Sequence, residues 1–410
     1  MNDSSQPLHG VLVVDLSRHL PGPLVTRLLA DLGARVVKVE EPRHGDPTRQ
    51  APPFTDETSS LSALLIHGHE SLALDLKKDD GRRALEDLLL HADVFVESFR
   101  PGTLARLGLE PDRLMEMFPR LILCSVSGFG QDGELAWRAG HDLTYQAMAG
   151  TLAAGGGMPA VQVADYAGAW SAVAAVTAAL FRREAEGEGG RGCRIDQSLL
   201  DAAGHAAITS WASEADGAKG VGQPLLLTGA YPCYDLYRTK DDGTLAVAFL
   251  EPKFWRSFCE AAGHKGLIPR QFSKDPKARR EVEGIFRART RDEWADFAIR
   301  HDLPAEPVLS LEESEQHGQV RTRALTKRGD DGLRRLGYPA MIDGHRPRGA
   351  DRIPGLGEDT DALIEEFGLA ADVPVGKRKR KGIGRRRSVK AWASKVATRV
   401  MAKLSSPDGD

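Results

Sequence analysis

Through the first two hundred residues, short apolar runs rich in β-branched side chains alternate with segments of helical periodicity. No other feature restricts the fold as much. Val11–Leu16 reads as a buried strand. Pro21-Gly22-Pro23 interrupts the chain, and Leu24–Leu32 then carries apolar residues at helical spacing, with Gly33 suited to its C-terminal end. The pattern recurs with strand Arg35–Glu40, strand Leu72–Leu76 and helix Gly81–His91, strand Val94–Ser98 and helix Pro111–Phe118, and strand Leu121–Val126. Strands alternating with helices run mostly parallel, so the reading is an α/β fold with a Rossmann-like, mostly parallel sheet in a large domain.

Small residues dominate 140–180, which permits close helix packing, and Tyr166–Arg183 reads as one Ala-rich buried helix. A Gly-rich turn leads to strand Cys193–Gln197 and helix Leu199–Ser213. The large domain is therefore expected over 1–213, followed by a linker over 214–230. Tyr231–Arg238 and Leu245–Glu251 then flank Asp241-Asp242-Gly243, a hairpin signal. Helical segments follow at Lys253–Ala262, Pro276–Ala288 and Arg291–His301, so 231–320 is read as a smaller α/β domain. Residues 321–372 are too poor in apolar side chains to fold alone and are expected to return to the large domain.

Several chemistries are excluded early. A dinucleotide site would place G-x-G-x-x-G directly after the first strand, where Ser17-Arg18-His19-Leu20-Pro21-Gly22-Pro23 stands instead. There is no G-x-x-x-x-G-K-[ST], and Ser127-Gly128-Phe129-Gly130 does not satisfy the G-x-S-x-G of a hydrolase elbow. No H-E-x-x-H or comparable spacing offers a metal site. Cys124, Cys193, Cys233 and Cys259 are scattered without a C-x-x-C pair, which argues for free thiols in a reducing compartment. The polar start Met1–Leu8 lacks the apolar core of a signal peptide, and no run of ~18 uninterrupted apolar residues exists. A cytoplasmic protein is expected.

Three acid–base candidates stand out. His141 lies at the mouth of an expected helix; Asp165 precedes a long one; Glu251 ends an apolar strand and precedes Pro252. Each also has a structural reading: Asp165 as an N-cap, His141 as a hydrogen-bonded histidine, Glu251 as a helix start. Spacing alone leaves these alternatives open.

Ordered stretches along the chain carry a resemblance. They are 8–16; Gly22-Pro23 with 29–34; 36–40; 71–77; Ala92-Asp93-Val94 through Arg100-Pro101-Gly102; Ser127-Gly128-Phe129-Gly130-Gln131; and Leu356-Gly357-Glu358-Asp359-Thr360. In this order, from about Leu8 to Leu369, they resemble the class III coenzyme A transferases, closest to the racemase branch of that family. The resemblance implies an interlocked homodimer whose active site lies between one subunit's large domain and the other's small domain. It matches Asp165 to the family's essential aspartate, the nucleophile of the transferase branch. In the racemase branch, the residues matching His141 and Asp165 act as two bases on opposite faces of the substrate α-carbon, and a glutamate matching Glu251 orients the histidine. Leu74, Lys77, Ser98, Arg100, Arg106 and Arg138 match CoA-contacting positions, and no cofactor is implied beyond coenzyme A as part of the substrate. The pattern departs at Glu41 and at His69-Glu70, where family members usually carry basic residues.

The expected function is racemisation of 2-methyl-branched acyl-CoA thioesters by 1,1-proton transfer. A thioester α-proton needs a positioned base and a stabilised enolate oxygen, and backbone N–H groups at the start of the helix after Asp165 are expected to supply the second. The same-family alternative is CoA transfer to a carboxylic acid through an aspartyl intermediate. A catalytically weak CoA-binding protein is the reading from another class.

The formal charge of −3 averages two unlike parts. Residues 1–376 carry a net −13, and 377–404 hold twelve Lys and Arg with no acidic residue. Val389, Trp392, Val396 and Val400 fall at helical spacing there, so a basic amphipathic helix is expected. Its destinations are a membrane surface, an acidic partner or nucleic acid, or the chain's own acidic body.

Overall fold

Six parallel strands form the sheet: β1 (Leu12–Asp15), β2 (Arg35–Glu40), β3 (Glu70–Ala73), β4 (Val94–Glu97), β5 (Ile122–Ser127) and β6 (Arg194–Ser198), with Val13, Val14, Val36, Val37, Phe95 and Val96 buried at its centre. The computed structural model that carries them describes residues 6–155, 157–215 and 226–370. The basic segment 373–410 and most of the expected linker lie outside the described residues. The strands run in the order β3-β2-β1-β4-β5-β6, with Val13 beside Val36 on one side of β1 and Val14 beside Phe95 on the other. Such an order reverses direction between β1 and β4, and the crevice beyond the C-terminal ends of the strands at that point is where ligands bind in open parallel sheets.

Three helices position the site: α1 (Pro21–Asp31), α2 (Asp142–Met148) and α3 (Val163–Ala185). Pro21-Gly22-Pro23 does not break the chain but forms the first turn of α1. A proline costs nothing there, because the N–H it lacks has no acceptor inside the helix. α3 starts three residues before its expected position, so Asp165 sits in the first turn rather than at the cap. α3 is long and apolar enough to cross a membrane. Its Ala164, Gly168, Ala169, Ala172, Val173 and Val176 face is nevertheless buried, as in the core helix of a globular unit.

The chain divides into two compact units, Met1–Gln146 with Val161–Ala203 and Ala324–Asp410, and Ala147–Ala160 with Gly204–Arg323. In the first unit the Leu356–Thr360 motif closes the outer edge of β3. Ser71 N–H donates to Asp359 Oδ2 (2.8 Å) and Ala73 N–H to Thr360 Oγ1 (3.0 Å), while Gly357 N–H donates to Ser71 Oγ (2.9 Å). Gly357 has a φ of 66°, and a Cβ there would lie 2.8 Å from that of Ala73, so only glycine fits. The motif is thus an edge guard of the sheet.

The second unit holds an antiparallel sheet of β7 (Tyr234–Arg238), β8 (Thr244–Ala248) and β9 (Ala305–Pro307), ordered β9-β8-β7. The β7–β8 hairpin turns at Asp241-Asp242-Gly243 as expected, with Asp242 left-handed at φ 59°. Trp255, Phe258, Phe286, Trp294 and Phe297 form its aromatic core.

Candidate active site

The strand order puts a small cavity, about 90 Å³, at the C-terminal ends of β1 to β4. Leu16, Val39, Leu74, Leu76, Phe99 and Leu107 give it apolar walls; Arg18 and Lys77 line it with positive charge, beside Glu40, Glu41, Asp46 and Asp75. Two of the expected CoA contacts, Leu74 and Lys77, line it directly. Ser98 does not line it, but its Oγ accepts the N–H of the lining residue Arg18 (2.8 Å). Arg18 then lies over the Phe99 ring at 5.1 Å. Arg100 and Arg138 are exposed on loops of the same unit, and Arg106 is exposed at the end of the short helix Thr103–Arg106.

Below the cavity lies a dry ionic network. The Lys38 ammonium is 3.1 Å from Asp15 and 3.3 Å from Asp46, and donates to the Ser17 carbonyl (3.0 Å); the three charged side chains are buried. Asp15 also accepts from Ser17 and Thr26. Glu40 is buried too, and burial pushes its pKa up, but the Arg49 guanidinium outweighs that and holds it at about 2.

The two departures from the family pattern have local explanations. Glu41 lines the cavity, but its carboxylate accepts the backbone N–H groups of Arg43 (3.1 Å) and His44 (2.8 Å) and pairs with both side chains. Its negative charge is therefore offset at the rim. Glu70 does not line the cavity; it pairs with Arg35, which also binds Glu366.

Two of the three acid–base candidates lie on segments joined at the start of α3. His141 immediately precedes α2, where its N–H donates to Thr144 Oγ1 (3.0 Å) and its carbonyl accepts from the same hydroxyl (2.7 Å). The next residue, Asp142, is 8% exposed and accepts the N–H groups of Ala164 (2.7 Å) and Asp165 (3.2 Å). His141 and Asp165 are thereby tied to one another through Asp142. Burial first, and the Asp142 negative charge second, push the Asp165 carboxyl up to about 7. The expectation that α3 offers free N–H groups for an enolate fails. The amides of Ala164 and Asp165 are taken by Asp142, and that of Tyr166 by the Gln162 carbonyl (2.9 Å). Glu251 belongs to the second unit, where it is exposed and opens the helix Pro252–Ala261.

Two residues of this neighbourhood were not singled out from sequence. The Tyr145 phenol is pushed up to about 12 by burial, then by Asp165, with Arg100 opposing and Asp142 adding to it; it stays protonated, a donor near Asp165. Its ring packs edge-on against Phe129 at 5.1 Å. A Cβ on Gly128 would lie 2.4 Å from its oxygen, which explains the glycine of the Ser127–Gln131 motif. Gly128→Ala is expected to cost about 1–3 kcal/mol by overpacking, read from urea unfolding midpoints. His19, at φ 68° in the β1–α1 turn, is the second. Desolvation lowers its pKa against the pull of Asp46, and nearby His141 and Arg18 lower it further. A bulky imidazole where a turn favours glycine is the signal that marks it.

Residues 8–360 match CoA-transferase family III. The chain belongs to that family. The family III enzyme is 32% identical over 382 residues to alpha-methylacyl-CoA racemase of Homo sapiens, covering 89% of this chain and 94% of the relative. It is 31% identical over 381 residues to acetyl-CoA:oxalate CoA-transferase of Acetobacter aceti, covering 88% and 96%. Its fold matches a CaiB/BaiF family protein from Brucella suis with a TM-score of 0.78 at 27% identity, covering 88% of this chain and 99% of the other. This is an enzyme that handles acyl-CoA thioesters, and its racemase and transferase relatives stand at about the same distance.

Proposed function

We propose that this enzyme racemises 2-methyl-branched acyl-CoA thioesters, His141 and Asp165 exchanging the α-proton from opposite faces. The observation that carries the reading is a histidine linked through Asp142 to a carboxyl held at about 7. Histidines exchange protons near neutrality, and a carboxyl raised to that range does so as well. One group can then hold a proton while the other accepts one. The cavity at the strand ends, with Leu74 and Lys77, supports seating of part of the CoA there, with Ser98, Arg100, Arg106 and Arg138 as further contacts. Glu251 as the residue orienting His141, the homodimer and the cytoplasmic address enter on the resemblance and the sequence alone.

The similar distance to a CoA-transferase favours a second reading, in which Asp165 attacks the thioester carbonyl and CoA passes to a free carboxylate. Incubation of a single 2-methylacyl-CoA epimer in D₂O, with and without an acceptor acid, separates the two. Deuterium at the α-carbon without acceptor is the expected result. CoA on the acceptor with no α-exchange would sink the racemase reading. Neither product, with CoA still bound, would leave a binding protein. His141→Ala is expected to cut α-exchange by about 10²–10⁴-fold.

A further inference from the structure

We propose that Asp142 is a positioning residue for Asp165: its buried carboxylate takes the amides that open α3 and holds Asp165 beside a fixed negative charge. The inference rests on the proton-transfer reading above and adds a part to it. Gln162, the residue at the cap position of α3, makes no side-chain cap, and its φ of −82° and ψ of 82° are not those of an ordinary helix start. The capping acceptor comes instead from Asp142, on another helix. Oδ1 accepts from Ala164 and Asp165, and Oδ2 accepts from the Gln146 amide at 2.6 Å. Both oxygens are thus engaged by neutral donors, so the anion has company without being neutralised.

The consequence is electrostatic. A carboxyl in the first turn of a 23-residue helix normally feels the positive end of the helix dipole, which favours its ionised form. Here the donors that create that positive end are spent on Asp142, and the Asp142 charge opposes ionisation of Asp165. The titratable groups facing Asp165 are Asp142 and Tyr145 from α2, with Arg100 acting on Tyr145 from the loop after β4. Of these, Asp142 is the one whose negative charge opposes ionisation of Asp165. Because Asp142 directly follows His141, one residue fixes the backbone position of one acid–base group and the charge surroundings of the other.

The test measures Asp165 itself. In the full chain labelled with ¹³C-carboxyl aspartate, the Asp165 resonance is assigned by its loss in Asp165→Asn. Asp142→Asn keeps an oxygen acceptor for the two amides and removes the charge; Asp142→Ser does the same with a hydroxyl and serves if the first variant folds poorly. The Asp165 midpoint is expected to fall from about 7 to about 6 in either variant, and the acid limb of α-exchange to move to lower pH with it. An unmoved midpoint in a variant that still binds CoA overturns the proposal. A moved midpoint in an enzyme that shows no α-exchange even as wild type upholds the positioning role and sinks the proton-transfer reading instead.

Discussion

Asp165→Asn should lower turnover by about 10⁴-fold while leaving CoA affinity nearly unchanged. An amide can neither accept the α-proton nor attack a thioester, so the loss is expected in racemisation and in transfer alike. The cavity residues Leu74 and Lys77 do not depend on it. The same substitution should stabilise the fold in mild alkali. The Asp165 carboxyl is raised from 3.8 to about 7, so the folded state disfavours its ionisation. The cost is absent below pH 3.8, grows as pH rises, and is complete above about 7. Removing it is worth on the order of 2–4 kcal/mol at pH 8 and about 0.5 kcal/mol at pH 4. Urea unfolding of the two proteins at both pH values checks the sign: a midpoint gain much larger at the higher pH is expected, and an equal gain at both would point to packing instead. A group kept at a cost to stability is what a reactive carboxyl requires.

Lys38→Met carries the largest expected loss of stability. Burial opposes the ammonium charge, but Asp15, Asp46 and Glu40 outweigh it, so the pKa of Lys38 is raised and it stays charged. Its Nζ is the shared partner of two carboxylates that have no access to water. Methionine fills the same space and leaves Asp15 and Asp46 facing one another unpaired, at a cost of about 3–5 kcal/mol. Adding Asp46→Asn should recover part of the loss, because removing the ion pair together is cheaper than removing one member. Denaturant midpoints of the three proteins measure this, and a double variant no better than the single one would count against the electrostatic account. The raised pKa also sets a pH window. The lysine contributes fully below its unfolded pKa near 10.5 and is lost only as pH rises through the higher folded value, so neutral conditions keep it whole.

The sheet was legible because its central strands Leu12–Asp15, Arg35–Glu40 and Val94–Glu97 are rich in valine, and the hairpin because Asp241-Asp242-Gly243 names its turn. The helix starts were harder to read. Proline at 21 and 23 looks like a breaker, and only the position within the helix shows that it is harmless. Asp165 was legible as an acid–base candidate beside an N-cap alternative, and its place in the first turn was not, since the capping acceptor lies 23 residues earlier and no local pattern encodes that pairing. The same distance hid Asp142 behind its neighbour His141. Glu41 stood out from sequence as a departure because the backbone turn that gives it the N–H groups of Arg43 and His44 is not encoded in any local pattern. Leu356–Thr360 was legible as a motif but not as an edge guard, for its partner strand is 287 residues away.

That last separation has a consequence for how the chain reaches its native state. β3 leaves the ribosome early, and the segment that covers its outer edge follows only after the whole second unit has been made. At 5–20 residues per second the interval is roughly 15–60 s, during which the outer edge of β3 presents unpaired amides and carbonyls to its surroundings. Neighbouring nascent chains on one messenger would hold identical open edges side by side. Chaperone demand in this protein should therefore be set by translation speed through the second unit, rather than by the stability of the finished fold.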